Sequence, residues 1–164
     1  METLQVSMQE YRAQLAKGMI QKAYKGLMDF MQELKTHFAK TQPTFSVSGS
    51  LYFGYMDMTY FAILTETLKR RGLKIAVVFL HQEFRFEVWL SGTNRDIQAQ
   101  AWQGFKDKGW NVYHLVADAR KADAVLEHVA VENPDFSDLD ALTRQIERET
   151  LKFIAEVERF LTAN

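Results

Sequence analysis

Apolar residues recur along the chain at two distinct periods. From Ile20 onward they fall at Ile20, Tyr24, Leu27, Met31, Leu34 and Phe38. Steps of three and four hold them on one stripe of a helix. Gln42-Pro43 ends that helix, because the residue before a proline is pushed out of helical geometry. Upstream, Ser7 and Glu10 have capping-box spacing and open a shorter helix through Met8, Tyr11 and Leu15, with Gly18 as its stop or kink. A stripe of the same kind returns near the C-terminus at Leu139, Leu142, Ile146, Phe153, Val157 and Phe160, opened by Ser137 with Asp140.

Between these helices the period changes to two. Leu73–His81 and Phe84–Ser91 are β-branched and aromatic runs separated by Gln82-Glu83, which predicts an antiparallel hairpin; Gln-Glu makes a poor two-residue turn, so a wider loop is the alternative. Before it, Leu51–Tyr55 reads as a short strand. Asp57 then caps a helix over Met58–Arg71 with Phe61, Leu64 and Leu68 on its stripe. After the hairpin, Thr93 or Asn94 caps a helix to Lys108, Trp110–Val116 alternates as a strand, and Asp118 caps an alanine-rich helix to Val129. The predicted fold is one α+β domain over residues 1–164: a small mixed sheet, made of the hairpin 73–91 and the strand 110–116 in a β-β-α-β unit, packed by long N- and C-terminal helices. In that unit Trp110–Val116 runs parallel to Phe84–Ser91 through a right-handed crossover.

This arrangement sorts the polar residues to two ends of the sheet. Tyr55, Asp57, His81 and Glu83 fall at one end; Ser91, Thr93, Asn94, Arg95 and Asp118 fall at the other. A strand of this length spans roughly 26 Å at about 3.3 Å per residue, so His81 and Asn94 cannot share one small site. Alternation then divides the second hairpin strand: Phe84, Phe86, Val88 and Leu90 face the core, while Arg85, Glu87, Trp89 and Ser91 face the other way beside Ala76, Val78 and Leu80. Arg85 and Glu87 share that face and should be partly shielded, so each is expected to be hydrogen-bonded to an opposite charge or polar group.

Composition narrows the function without naming it. Lys and Arg total 20 against 21 Asp and Glu, giving a net charge of −1, so a dedicated nucleic-acid domain is not expected. The charge is uneven: residues 12–40 carry six basic and two acidic side chains, and residues 118–164 carry six basic and eleven acidic. With no cysteine there is no thiolate nucleophile and no zinc knuckle. The polar start, Met1-Glu2-Thr3-Leu4-Gln5, and the short Ile75–Leu80 apolar run predict a cytoplasmic protein without a membrane segment. Aromatic residues make up 13% of the chain, which favours a filled core.

Two groups of residues carry candidate chemistry. Tyr55, Asp57, His81, Arg85, Glu87 and Trp89 form a candidate ligand pocket. Asp57 with His81 pairs a carboxylate with an imidazole, as general acid–base chemistry requires, and Tyr52, Tyr55, Tyr60 and Trp89 are candidates to line a nearby cleft. The turn holding Thr93, Asn94 and Arg95 leads into a helix, where free N–H groups favour an anion. Ordinary helix capping explains the same residues, and there is no G-x-G-x-x-G pattern. No histidine spacing indicates a metal, and nothing indicates a cofactor. Lys69-Arg70-Arg71 with Lys74 is the one dense basic cluster; it suits the end of the helix expected before it.

Gln9-Glu10-Tyr11-Arg12, the run Lys17–Tyr24, the run Gly54–Phe61 and the run Arg85–Gly92 together resemble an uncharacterised family of small single-domain bacterial proteins, over nearly the whole chain. That resemblance implies a stand-alone bacterial domain and carries no activity or catalytic residue with it. A weaker resemblance is to the PD-(D/E)XK nuclease core, where helix, hairpin, helix and strand follow in similar order. It implies Asp57 and Glu87 as metal-binding acids. However, Trp89 stands where that core has its lysine, and the helix expected after Asp57 interrupts the core's strand meander. The expected function is a binding or interaction domain with a polar and aromatic pocket, its partner a small molecule or a protein, with a homodimer through a long helix among the partner readings. The alternatives are a small enzyme centred on Asp57 and His81, or an inactive relative of those nucleases.

Overall fold

Hydrophobic alternation in Leu73-Lys-Ile-Ala-Val-Val-Phe-Leu80 and Arg85-Phe-Glu-Val-Trp-Leu-Ser-Gly92 builds the centre of the sheet. The computed structural model describes residues 1–163. In chain order the elements are α1 (Leu4–Lys17), α2 (Met19–Thr41), β1 (Ser46–Val47), β2 (Met58–Leu64), α3 (Glu66–Arg70), β3 (Leu73–Leu80), β4 (Arg85–Gly92), α4 (Arg95–Asp107), β5 (His114–Leu115), β6 (Leu126–Val131) and α5 (Leu139–Thr162). The six strands form one sheet in the order β1-β2-β3-β4-β6-β5. Every neighbouring pair is antiparallel, from Ser46↔Leu64 at one edge to His114↔Glu127 at the other.

The α+β class and the terminal helices stand, but the sheet is not mixed. Trp110–Val116 contributes only the two residues of β5, which pair antiparallel with β6 and never with β4. Trp110 and Tyr113 leave the strand to pack as side chains: Trp110 donates Nε1–H to the Tyr113 carbonyl and sets its ring edge-on to Phe105 and Phe160. The strand beside β4 is β6, which lies where a helix to Val129 was expected. There Asp118 closes a tight turn, with Lys121 and Ala122 donating back to its carbonyl, and β-branched Val125, Val129 and Val131 take over.

Met58–Leu64 is likewise strand, not helix. Phe61, Leu64 and Leu68 imitate helical spacing, but Thr59, Tyr60, Phe61 and Ile63 suit a pleated surface, and Thr59, Phe61 and Ile63 alternate into the core. Leu51–Tyr55 is a loop that touches the sheet through one bridge, Tyr52↔Tyr60. The hairpin turn is also wider than Gln82-Glu83. Phe84, at a φ of 54°, donates its N–H back to the Leu80 carbonyl, closing a turn over His81–Phe84. Helix caps shift slightly: Thr3 rather than Ser7 opens α1, and Asp138 rather than Ser137 opens α5, since Ser137 bonds to Asp135.

The chain divides into two compact units, residues 1–34 and residues from Lys35 onward. In the first, α1 buries none of its residues, and Gly18 ends it at a φ of 76°. In the second, one sheet face is the core. Phe61, Ile63, Ile75, Val77, Phe79, Phe86, Val88 and Leu90 are fully buried there, together with Ile146, Phe153 and Val157 of α5. Phe38, at the end of α2, packs its ring 6.0 Å from that of Phe61. Polar pairs tie α5 down: His37 with Glu147, His128 with Glu149 at 3.0 Å, and Thr65 donating to Glu158.

Where β4 turns into α4 the two backbones nearly touch. A Cβ on Gly92 would stand 2.6 Å from the Gln98 nitrogen and 2.8 Å from its Cα. Backbone cannot swing aside as a side chain can. Gly92→Ala should therefore cost about 1–3 kcal/mol of stability, as overpacking does elsewhere. Urea unfolding of the two proteins measures it, and an unchanged midpoint would contradict the close approach.

Candidate functional site

Both long helices of the second unit pack on one face of the sheet, so the other face is finished by strand and loop residues alone. Ala76, Val78, Trp89 and Ala124 are buried there, with Met58, Tyr60 and Leu80 packed around them. Register explains the shape of this face. Ala62 stands opposite Ala76, which stands opposite Trp89, which stands opposite Glu127. Two alanines in one row leave a hollow between the tyrosine of β2 and the tryptophan of β4. The result is a cleft of about 360 Å³. Tyr52, Met58 and Tyr60 line it on one side and Trp89 on the other, with Lys74 and Ala76 on β3. Ser91 through Arg95, Gln98 and Asp123 close its end. Tyr52 comes from the loop before β2 and stacks on Tyr60 with ring centroids 4.9 Å apart.

The cleft end is held by a side-chain amide. Gln98, nearly buried, accepts from the Gly92 N–H at 3.1 Å and donates to the carbonyls of Ala119 at 2.8 Å and Ala122 at 2.9 Å. Ser91 donates to the Asp123 carbonyl at 2.8 Å. These bonds fix the 117–124 loop against the start of α4. Asn94 caps that helix, accepting from the Ile97 N–H at 2.8 Å. Arg95 donates to the Ala122 carbonyl, and its guanidinium lies 3.9 Å from Asp123.

The two groups of candidate residues are therefore regrouped. Trp89 joins Thr93, Asn94 and Arg95 in one cleft, although the sequence reading set them in separate sites. Tyr55, Asp57 and His81 lie outside its lining. Tyr55 is 95% exposed and gives only its backbone N–H, donated to Asp57 at 2.8 Å. Asp57 holds the turn at Gly54–Met56. Backbone N–H donors at Met58 and Tyr55 keep its carboxyl below the usual carboxylate range. His81 bonds through Nε2 to the Thr59 hydroxyl at 2.9 Å. That hydroxyl gives its own proton to the Phe53 carbonyl, so the histidine is the donor. Partial burial lowers the His81 pKa, and the Asp57 charge offsets part of that shift.

Arg85 and Glu87 pair with each other. Glu87, 3% exposed, accepts from Arg85 Nε at 2.7 Å and from Trp89 Nε1 at 2.9 Å, and Arg85 also reaches Glu132 at 3.3 Å. This triad fixes the plane of the indole that walls the cleft. It also commits each Glu87 carboxylate oxygen to a hydrogen bond. Asp57 sits beyond the row Met58–Leu80–Arg85, whereas Glu87 lies in the row Tyr60–Val78–Glu87. The strand β2 restores the meander that the nuclease resemblance lacked, yet the two acids do not assemble. Among the described residues no group of three His, Asp or Glu side chains is placed to hold a metal ion.

Sequence reasoning missed Met58, Lys74, Gln98 and Asp123 as cleft residues. Once β2 is read as a strand, its register against β3 puts Met58 and Tyr60 on the Trp89 face. Glu127, opposite both Trp89 and His114, was also missed. Partial burial raises its carboxyl pKa; the nearby Glu87 charge adds to the shift, and His114 opposes it. A carboxyl whose folded pKa is raised contributes stability at low pH and loses it as pH rises through the folded value. Glu127→Gln should accordingly raise the urea midpoint at neutral pH, with the difference vanishing below about pH 4. A variant less stable than the parent at neutral pH would show the carboxylate to be favourably held.

No helix among the described residues is long and apolar enough to cross a membrane. No curated protein and no solved structure matches the chain, and the nuclease resemblance gains nothing from either comparison. A family model, described as a domain of unknown function, DUF7000, matches residues 4–161. The uncharacterised family expected from its motifs is thus the one it falls in: the chain belongs to the DUF7000 domain family.

Proposed function

We propose that the protein is a binding domain for a small organic molecule, and that the cleft on the second face of the sheet is its site. The observation that carries this is the aromatic lining: Tyr52 and Tyr60 stacked on one side, the indole of Trp89 on the other, and Ala76 between them. A hollow walled by rings and floored by small residues suits a flat apolar group, which gains contact on both faces when it displaces water. The wall is preorganised, because Glu87 and Arg85 hold the indole in place before any ligand arrives. An enzyme centred on Asp57 and His81 has less support. Both side chains are engaged in their own turn and strand, and neither lines the cleft.

Benzyl alcohol, a small uncharged aromatic, is the probe for this reading. At millimolar concentration it should shift the Trp89 indole N–H and the Tyr60 amide in the NMR spectrum of the full chain. Ala76→Leu fills the hollow and should abolish the shifts while the rest of the spectrum keeps its dispersion. Tyr55→Ala, outside the cleft, should leave them intact. The reading fails if benzyl alcohol moves neither resonance, or if Ala76→Leu responds like the parent.

A further inference from the structure

The cleft holds hydrogen-bond donors without acceptors. Lys74 is the second residue of β3, and its side chain reaches back along the sheet until Nζ lies 5.8 Å from the centre of the Tyr60 ring. Its stem thus lies on apolar surface, and only the tip meets water. No carboxylate pairs with this ammonium, and no acceptor receives the hydroxyl of Tyr60 or of Thr93, among the described residues. An ammonium offers three donors and can accept nothing. Burial, with the neighbouring Tyr52 and the Asp123 charge adding to it, holds the Tyr60 phenol above its ordinary pKa, so it too stays a donor. The single carboxylate of the lining, Asp123, faces Arg95. Two cations against one anion leave the lining with an excess positive charge; Glu127, opposite Trp89 on the β6 side, lies outside it.

We infer that the ligand is an aromatic anion, a ring bearing a carboxylate or phosphate. The ring lies between Tyr60 and Trp89, and the anionic group takes the donors of Lys74, Tyr60 and Thr93, with Arg95 at the rim. This inference rests on the cleft being the binding site, and it adds the charge of what is bound. An acidic group supplies the acceptors that the cleft lacks, and a charge-assisted bond to Lys74 is stronger than a neutral one. A cationic aromatic would meet Lys74 and Arg95 as like charges and leave the same donors unsatisfied.

Phenyl phosphate, phenylacetate, benzyl alcohol, benzylamine and inorganic phosphate, titrated at constant ionic strength and followed at Trp89 and Tyr60, test it. Phenyl phosphate or phenylacetate should bind about tenfold tighter than benzyl alcohol, the gain expected of one good charge-assisted hydrogen bond. Whichever of the two is favoured separates the phosphate from the carboxylate source. Lys74→Met keeps the apolar stem and should erase that advantage, so that the variant binds charged and neutral probes alike; Lys74→Gln serves if the methionine variant folds poorly. Equal affinity for charged and neutral probes, preference for benzylamine, or an advantage that survives in both Lys74 variants overturns the anion assignment alone. Inorganic phosphate binding as tightly as phenyl phosphate overturns the role of the ring. Silence from every probe, benzyl alcohol included, removes the cleft reading itself.

Discussion

Everything in the second unit hangs on the pairing of β3 with β4. Their register runs unbroken from Leu73↔Gly92 to Leu80↔Arg85. In the middle of that ladder the residues of both faces are buried: Ile75, Val77 and Phe79 on one side, Ala76 and Val78 on the other. β2 adds to the free side of β3 and β6 to the free side of β4. The helices then have one apolar face to cover, and α5 covers it with Ile146, Phe153 and Val157. A one-residue slip of β3 would exchange its two faces, placing Lys74 in the core and Phe79 in the cleft. The register that builds the core is therefore the same register that builds the cleft.

What could be read beforehand follows from how local each signal is. The central hairpin, α2, α4 and α5 announce themselves within their own windows, through strict alternation or a long stripe. β2 does not, because Phe61, Leu64 and Leu68 fit a helix as well as their neighbours fit a strand; pairing with β3 settles it. β6 was hidden by the alanines and charges of residues 117–124, which belong to a loop fastened by Gln98 and Ser91 from outside that window. Lys74 shows the same effect at the site. Beside Lys69, Arg70 and Arg71 it reads as the positive end of a long helix. Its real place, two positions into a central strand, depends on where that helix stops. Trp89 and Asn94 were both legible as candidates, but only the sheet and its loops bring them to one cleft.

The division of labour among the charges is sharp. Glu87 is buried and fully engaged, holding Arg85 and the Trp89 indole. Asp57 and His81, the pair with the more familiar chemistry, stabilise a turn and a strand end. Lys74 and Glu127, less conspicuous in the sequence, are charged groups on the same face that lack a tight partner among the described residues. Stability is given up at such positions in proteins that bind something there.

The edges of the sheet have their own consequence. Leu73–Leu80 is a nearly uncharged run rich in β-branched and aromatic residues, the kind of segment that templates cross-β stacking when it is left uncovered. It lies third from one side, and the outermost strands, β1 and β5, are two residues each. Edges that short offer an incoming chain almost no backbone to pair with. The most fibril-prone segment, paired on one side by β2 and on the other by β4, is exposed only if these central strands come apart.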